Sequence, residues 1–403
     1  MEIWPILVSL RKHKIPAILV VLEVALACAV FCNAIFMIGQ RIAELNMPNA
    51  IDETVLVNIS VKGVDPKLVN DDIPRALASL RRIFGVVDAA ATTTIPFGKG
   101  LGVDSVSTKP NSTDTPGASR YMFTQGGPKT FGLQLLEGRF FSDDEYVASK
   151  AGGTSVPISY GVIVTRSLAR RLWPRQSALG KQLWMGSTHH YTVLGIVADV
   201  ARPGGSGIGQ SSAYYSTFFP VGPDPALTDY VVRSAPHERD RVLHEAIATL
   251  ASLSPNAVVN GQTFTEIRSD TFANIRSMVW ILVLVCVVML VVTAFSIVGL
   301  TSFWVNQRRR QVGIRRALGA SRGNILHYSQ IENFLLSSAG VVLGMILTLR
   351  INLYLMGHYQ MDRMPWYYLP VSAVVMWILG QLAVLGPALR ASRVPPVAAI
   401  RSV

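Results

Sequence analysis

The chain has 403 residues, half of them hydrophobic, with a mean hydropathy of +0.36 and a formal net charge of +12. So apolar a composition argues against an ordinary soluble globular protein. Twelve basic residues and one acidic residue (Glu2) fall in three short segments beside apolar runs, so the positive balance is a topology signal and gives no support to nucleic-acid binding.

Residues 1–14 form a basic N-terminus with Arg11, Lys12 and Lys14, followed at 15–38 by "IPAILVVLEVALACAVFCNAIFMI". A bilayer crossing needs about 20 apolar residues, and this stretch supplies them. "ALAC" at residues 25–28 hints at a lipoprotein cleavage site, but the apolar run continues ten residues past Cys28, as expected of an uncleaved signal anchor.

Residues 39–277 have ordinary polarity and read as one large α+β domain. "ETVLVNISV", "DPKLVNDDIPRALASLRRIFG" and "VVDAAATTTI" read as strand, helix and strand. Near the far end, "DYVVRS", "HERDRVLHEAIATLASL" and "NAVVNG" repeat that order. Two such units predict a ferredoxin-type subdomain, about 50–96 and 223–262. The intervening 97–222 is more β-rich: "GVIVTRSLARRLWP" reads as strand and helix, and "HHYTVLGIVADVA" and "SSAYYSTFFPV" as strands. Its "GKGLGVDSVSTKPNSTDTPGAS" and "RPGGSGIGQSS" read as flexible loops.

A second span is predicted at 278–305, a third at 325–349 and a fourth at 366–389, separated by a basic segment at 306–324 and a short loop at 350–365. The basic flanks place both termini (1–14 and 390–403) and the 306–324 segment in the cytoplasm, with the large domain and short loop outside.

Chemistry-bearing motifs are sparse. "TQGGPKT" approaches a phosphate-binding loop, but Pro128 stands where the second glycine belongs. Adjacent His189 and His190 would point to opposite faces of a strand and make a poor metal pair. No catalytic residue, cofactor site or metal site is predicted. The three cysteines (Cys28, Cys32, Cys286) all fall in predicted spans, so no disulfide is expected in the external domain. Glu23 and Glu332 each lie about eight residues inside a cytoplasmic boundary, or about 12 Å of helix rise. Two isolated carboxylates without a polar track favour anchoring between helices over a proton relay. Gly340 and Gly344 form a small-xxx-small pattern that lets helix backbones approach within lipid, against another span or a partner subunit.

The stretch "RRRQVGIRRALGASRGNIL" at 308–326 carries more than topology requires. Val312, Ile314, Ala317 and Leu318 interleave with Arg315 and Arg316, giving a short helix with one apolar and one cationic side. Gly319 can end it and Ser321 can cap the next. The pattern alone suits lipid or a groove on a cytoplasmic partner equally.

With Glu332 and "GVVLG" following it, this stretch resembles the signature of the FtsX/MacB-type permeases of ATP-binding-cassette (ABC) transporters. "FGLQLLEGRFFSDDE", "GVIVTRSLARRLWPRQSALGKQL" and "YTVLGIVADV" are similar to that family's periplasmic core domain, and "PALRASRVPPVAAIR" to its C-terminal tail. The resemblance implies an inner-membrane, non-catalytic permease with four transmembrane helices and a periplasmic domain between helices 1 and 2, divided into porter-like and Sabre-like subdomains. It implies a dimer with a second copy or a paralogue, two copies of an ATPase subunit, and mechanotransmission from that ATPase to the periplasmic domain. A coupling helix seated in the ATPase would comprise Gln311, Val312, Gly313, Ile314, Arg315, Arg316, Ala317, Leu318 and Gly319. Gln311 departs from the family's usual Glu. Export of a small molecule or peptide, with a periplasmic adaptor and outer-membrane channel, is the expected task. Lipoprotein extraction and non-transporting regulation of a periplasmic partner are the alternatives.

Overall fold

The structure, a computed structural model, describes residues 14–63, 72–98, 102–149, 157–204, 212–223, 228–307, 321–359 and 364–392. The chain divides into two units, Met1–Ala43 with Arg276–Val403, and Glu44–Ile275.

The first unit is built from four helices: α1 (Lys14–Leu45) and, at the other end of the chain, α8 (Ala273–Gln307), α9 (Arg322–Tyr359) and α10 (Tyr368–Ser392). All four are long and apolar enough to cross a membrane. Val24 and Cys28 of α1, Ile297 of α8, Leu336 and Val341 of α9, and Met376 and Val384 of α10 share one buried cluster. The third span departs from expectation at its end. Its helix runs on to Tyr359, where a loop was expected from residue 350. Hydropathy marks the lipid-crossing stretch, whereas "INLYLMGHY" has no Pro and only one Gly to stop the helix earlier.

In the second unit the elements run β1 (Leu56–Lys62), α2 (Asp72–Leu80), β2 (Val86–Thr92), β3 (Val103–Ser107), β4 (Gly117–Met122), α3 (Gly127–Phe131), β5 (Leu135–Gly138), α4 (Asp143–Ala148), β6 (Gly161–Thr165), α5 (Arg166–Leu172), β7 (Gln182–Met185), β8 (His189–Val197), β9 (Ser216–Phe219), β10 (Thr228–Ser234), α6 (Arg239–Leu253), β11 (Val258–Thr263) and α7 (Phe264–Thr271).

Strands from the two ends of this unit interleave in an antiparallel sheet of order β11-β1-β10-β2. Alternation assigns its faces. Val57, Ile59, Val61, Tyr230 and Val232 pack under Leu77 and Leu80 of α2 and Val242, Leu243 and Ala246 of α6. The opposite-parity Leu56 and Val231 enter a second core with Phe123, Phe131, Phe218 and Phe264.

The middle of the unit folds into a mixed sheet of order β5-β8-β6-β9-β4-β3-β7. Because β7 also pairs with β8, six of these strands close a ring, which removes most free edges. Val106, Val162, Val164, Leu183, Tyr191 and Phe219 form its core. One closing strand, β3, falls within the segment expected to be a flexible loop. Its "VDSVS" is short and flanked by Gly, Lys and Thr, so tertiary pairing with β4 and β7 decides it rather than propensity. The expected strand at "SSAYYSTFFPV" likewise narrows to β9, preceded by a 3-10 turn at Ser212–Tyr214.

Candidate functional site

The arginine-rich segment with Gln311, Val312, Gly313, Ile314, Arg315, Arg316, Ala317, Leu318 and Gly319 lies outside the described residues. The other four residues marked in the sequence fall on α1 and α9. Glu23 is half-buried on α1 and Glu332 is buried on α9.

Gly340 and Gly344 face α1. A Cβ at Gly340 would stand 2.7 Å from Val24 Cβ and 3.0 Å from the Val21 carbonyl. One at Gly344 would stand 2.7 Å from Cys28 Cβ and 2.8 Å from the Ala25 carbonyl. Both glycines and their α1 partners recur at a spacing of four, so one ridge of α1 lies in the groove left by the two missing side chains. On the next seam a Cβ at Gly380 of α10 would stand 2.9 Å from Ser337 Oγ and 3.2 Å from Asn333 Nδ2 of α9. Glycine thus sets the spacing of α9 to both neighbours.

A second constellation sits where the external unit begins and ends in the chain. Helix α7 starts with a reciprocal cap. The Glu266 N–H donates to Thr263 Oγ1 at 3.2 Å, and the Thr263 N–H donates to Glu266 Oε2 at 2.8 Å. This fixes the helix that carries Arg268. The guanidinium donates to the Met47 carbonyl at 2.6 Å, the Leu45 carbonyl at 3.2 Å and Glu53 Oε1 at 3.0 Å. It also lies 4.9 Å from the Phe97 ring centroid and 5.8 Å from that of Phe272.

The last turn of α1 contains no basic residue, so its unpaired carbonyls would otherwise meet no cation. Arg268 supplies one from 223 positions along the chain. Its planar fork holds several acceptors in one fixed geometry, which the compact ammonium of a lysine does not. The same strap is tied sideways: Asn49 Nδ2 donates to Glu53 at 3.0 Å, and Tyr214 Oη donates to the Pro48 carbonyl at 2.8 Å. On the α7 side, Thr271 Oγ1 donates to the Phe97 carbonyl at 2.6 Å. The chain leaving α1 and the chain entering α8 are therefore clamped together. Sequence inspection missed Arg268. Its one local signal was the T-x-x-E cap beginning at Thr263, which marks the helix and not the partner.

Among the described residues no three His, Cys, Asp or Glu side chains converge as a metal site. All three cysteines are free and buried in α1 and α8. What the arrangement offers is mechanical: close helix seams and a charged clamp.

Comparison with known proteins identifies the context. Residues 19–260 match the MacB-like periplasmic core domain, and residues 283–396 match the FtsX-like permease C-terminal domain. The macrolide export ATP-binding/permease protein MacB of Shewanella oneidensis is 25% identical over 343 residues, covering 78% of this chain and 48% of the relative. That of Chromobacterium violaceum is 25% identical over 223 residues, covering 54% of this chain and 32% of the relative. The chain thus spans less than half the length of these relatives. The crystal structure of the periplasmic region of MacB from Actinobacillus actinomycetemcomitans aligns with 54% of this chain and 92% of its own, at 13% identity and a TM-score of 0.37, a likeness too slight to bear on the fold. The core-domain match takes in more than half of the 403 residues and the permease match the C-terminal helices, so the chain belongs to the FtsX/MacB-type permeases of ABC transporters.

Proposed function

We propose that this chain is the membrane subunit of an ABC exporter in which ATP hydrolysis by a separate ATP-binding subunit drives a conformational change of the periplasmic domain. Two permease copies, or one with a paralogue, work with two ATPase subunits. Both termini and the 306–324 segment face the cytoplasm. Residues 311–319 seat in the ATPase as the coupling helix, with Gln311 lacking the charge that usually marks this position.

Motion passes along α1 and α8 to the external unit. The four-stranded sheet with α2 and α6 is a porter-like subdomain of ferredoxin type, and the closed mixed sheet is Sabre-like. The observation that carries this reading is the Arg268 clamp, which ties the outer end of α1 to the helix leading into α8. A displacement of either span is thereby passed on to the chain segments that lead into the external unit. The names of the relatives suggest small-molecule export, and a periplasmic adaptor and outer-membrane channel would complete that path.

The test is co-purification with the ATPase encoded beside this chain, for wild type and Leu318→Asp. Retention of an active ATPase by wild type and loss of both association and hydrolysis in the variant are expected. If no ATPase is retained and Leu318→Asp alters only membrane contact, residues 311–319 are a lipid-facing flank and the coupling reading fails.

A further inference from the structure

A cavity of about 1070 Å³ opens in the external unit against the four-stranded sheet, on the face turned away from α2 and α6. Its volume is that of a small-molecule site. Asn58 of β1, Asp229 of β10 and Asp270 of α7 supply polar lining, and Ile95 and Ile267 are among its apolar lining.

Asn58 is only 7% exposed, and its Nδ2 donates to Asp229 Oδ1 at 3.2 Å. That bond fixes the amide's orientation, since the flipped amide would set an oxygen against the carboxylate. Asn58 Oδ1 is thereby left buried with no hydrogen-bond partner. A buried acceptor without a donor keeps its full desolvation penalty, so a group that donates to it is strongly favoured. Asp270 Oδ2 accepts from Gln262 Nε2 at 3.0 Å, which holds the second carboxylate at the site. Against these two carboxylates, Lys62 is the one cation among the described lining residues, and it is exposed. The lining therefore combines an orphan acceptor, an excess of negative charge and an apolar surface.

We propose that this cavity binds an organic ammonium, its nitrogen held by Asp229 and Asn58 Oδ1 with Asp270 alongside, and its apolar body against Ile95 and Ile267. Burial raises the Asp229 carboxyl above its ordinary value, against the opposing pull of the Asn58 hydrogen bond and of Lys62. A ligand cation relieves that burial penalty.

The test is calorimetric titration of the full chain in lipid nanodiscs, without ATPase or nucleotide, so that failure leaves the coupling proposal untouched. The probes are 4-phenylbutylammonium and the isosteric neutral 4-phenylbutanol, each corrected for empty nanodiscs. Wild type should prefer the amine by about tenfold or more, as a desolvated charge pair allows. Asp229→Asn keeps an acceptor for Asn58, and should erase most of that preference while leaving alcohol binding unchanged. Asp270→Asn should weaken it less. As pH falls through the Asp229 carboxyl's raised value, with Lys62 and Asp270 the other charged groups facing it, amine affinity should drop. Equal binding of amine and alcohol by wild type overturns the proposal, as does a preference that survives both substitutions. Should Asp229→Asn fail to fold, the wild-type comparison and Asp270→Asn still decide.

Discussion

Alanine at Gly344 should loosen the seam between α1 and α9. The added methyl would stand 2.8 Å from the Ala25 carbonyl oxygen and 2.7 Å from Cys28 Cβ. Unstrained contacts need about 3.5–4.0 Å, so the helices must part by about 1 Å. Ala25 O belongs to the backbone of α1 and cannot turn aside as a side chain would. Gly340 meets the same limit, with the Val21 carbonyl at 3.0 Å and Val24 Cβ at 2.7 Å. Overpacking of this kind costs about 1–3 kcal/mol, against which the helix preference for Ala over Gly returns up to about 1 kcal/mol. Gly299 in the middle of α8 is the internal control, because nothing lies within 4 Å of its added Cβ. Unfolding of the purified chain in mixed detergent, followed by circular dichroism of the helices, gives the comparison. Gly340→Ala and Gly344→Ala should each be destabilised and Gly299→Ala neutral or better. If all three behave alike, the close approach of α1 and α9 is wrong.

Arg268→Gln should destabilise the external unit by about 2–3 kcal/mol, the usual worth of hydrogen bonds to a charged group, and Arg268→Lys should recover only part of it; thermal unfolding of the full chain reads both. Phe218, 1% exposed, stacked on Phe123 at 5.6 Å and tilted against Tyr121 at 5.0 Å, should cost about 3–5 kcal/mol on truncation to Ala in the same assay. Glu145 has its carboxyl held below the ordinary value of 4.5, chiefly by hydrogen bonds from Arg139. A depressed folded value means that the contribution is present above 4.5 and is lost as pH falls through the lower folded value. Glu145→Gln should therefore be less stable than wild type at pH 7, and the gap should close in acid. A gap that persists or widens in acid would contradict that pairing.

The membrane helices were legible because apolar runs of this length have almost no other use. Their partners were not. Gly340 and Gly344 announce a close contact, but only the structure puts Val24 and Cys28 opposite them. The four-stranded sheet was legible for a related reason. Both strand-helix-strand stretches keep their periodicity, so their pairing across the long intervening segment follows from two halves that each need a partner face. β3 was hidden in a segment rich in Gly, Ser and Thr, where pairing overrides local preference. Arg268 was unreadable in principle: Glu53, its ion-pair partner, is 215 positions away, and two of its acceptors are backbone carbonyls, which have no sequence signature.

The central claim is that nucleotide chemistry in the cytoplasm moves the external unit through the clamped ends of α1 and α8. Spin labels at Phe84 and Val147, exposed sites flanking the two sheets, would report it as a distance distribution in the complex with the ATPase. Wild type should show distinct distributions in the nucleotide-free and vanadate-trapped states, and Arg268→Gln should hold the two together while ATP is still hydrolysed. Identical distributions in wild type, with hydrolysis intact, would contradict the account.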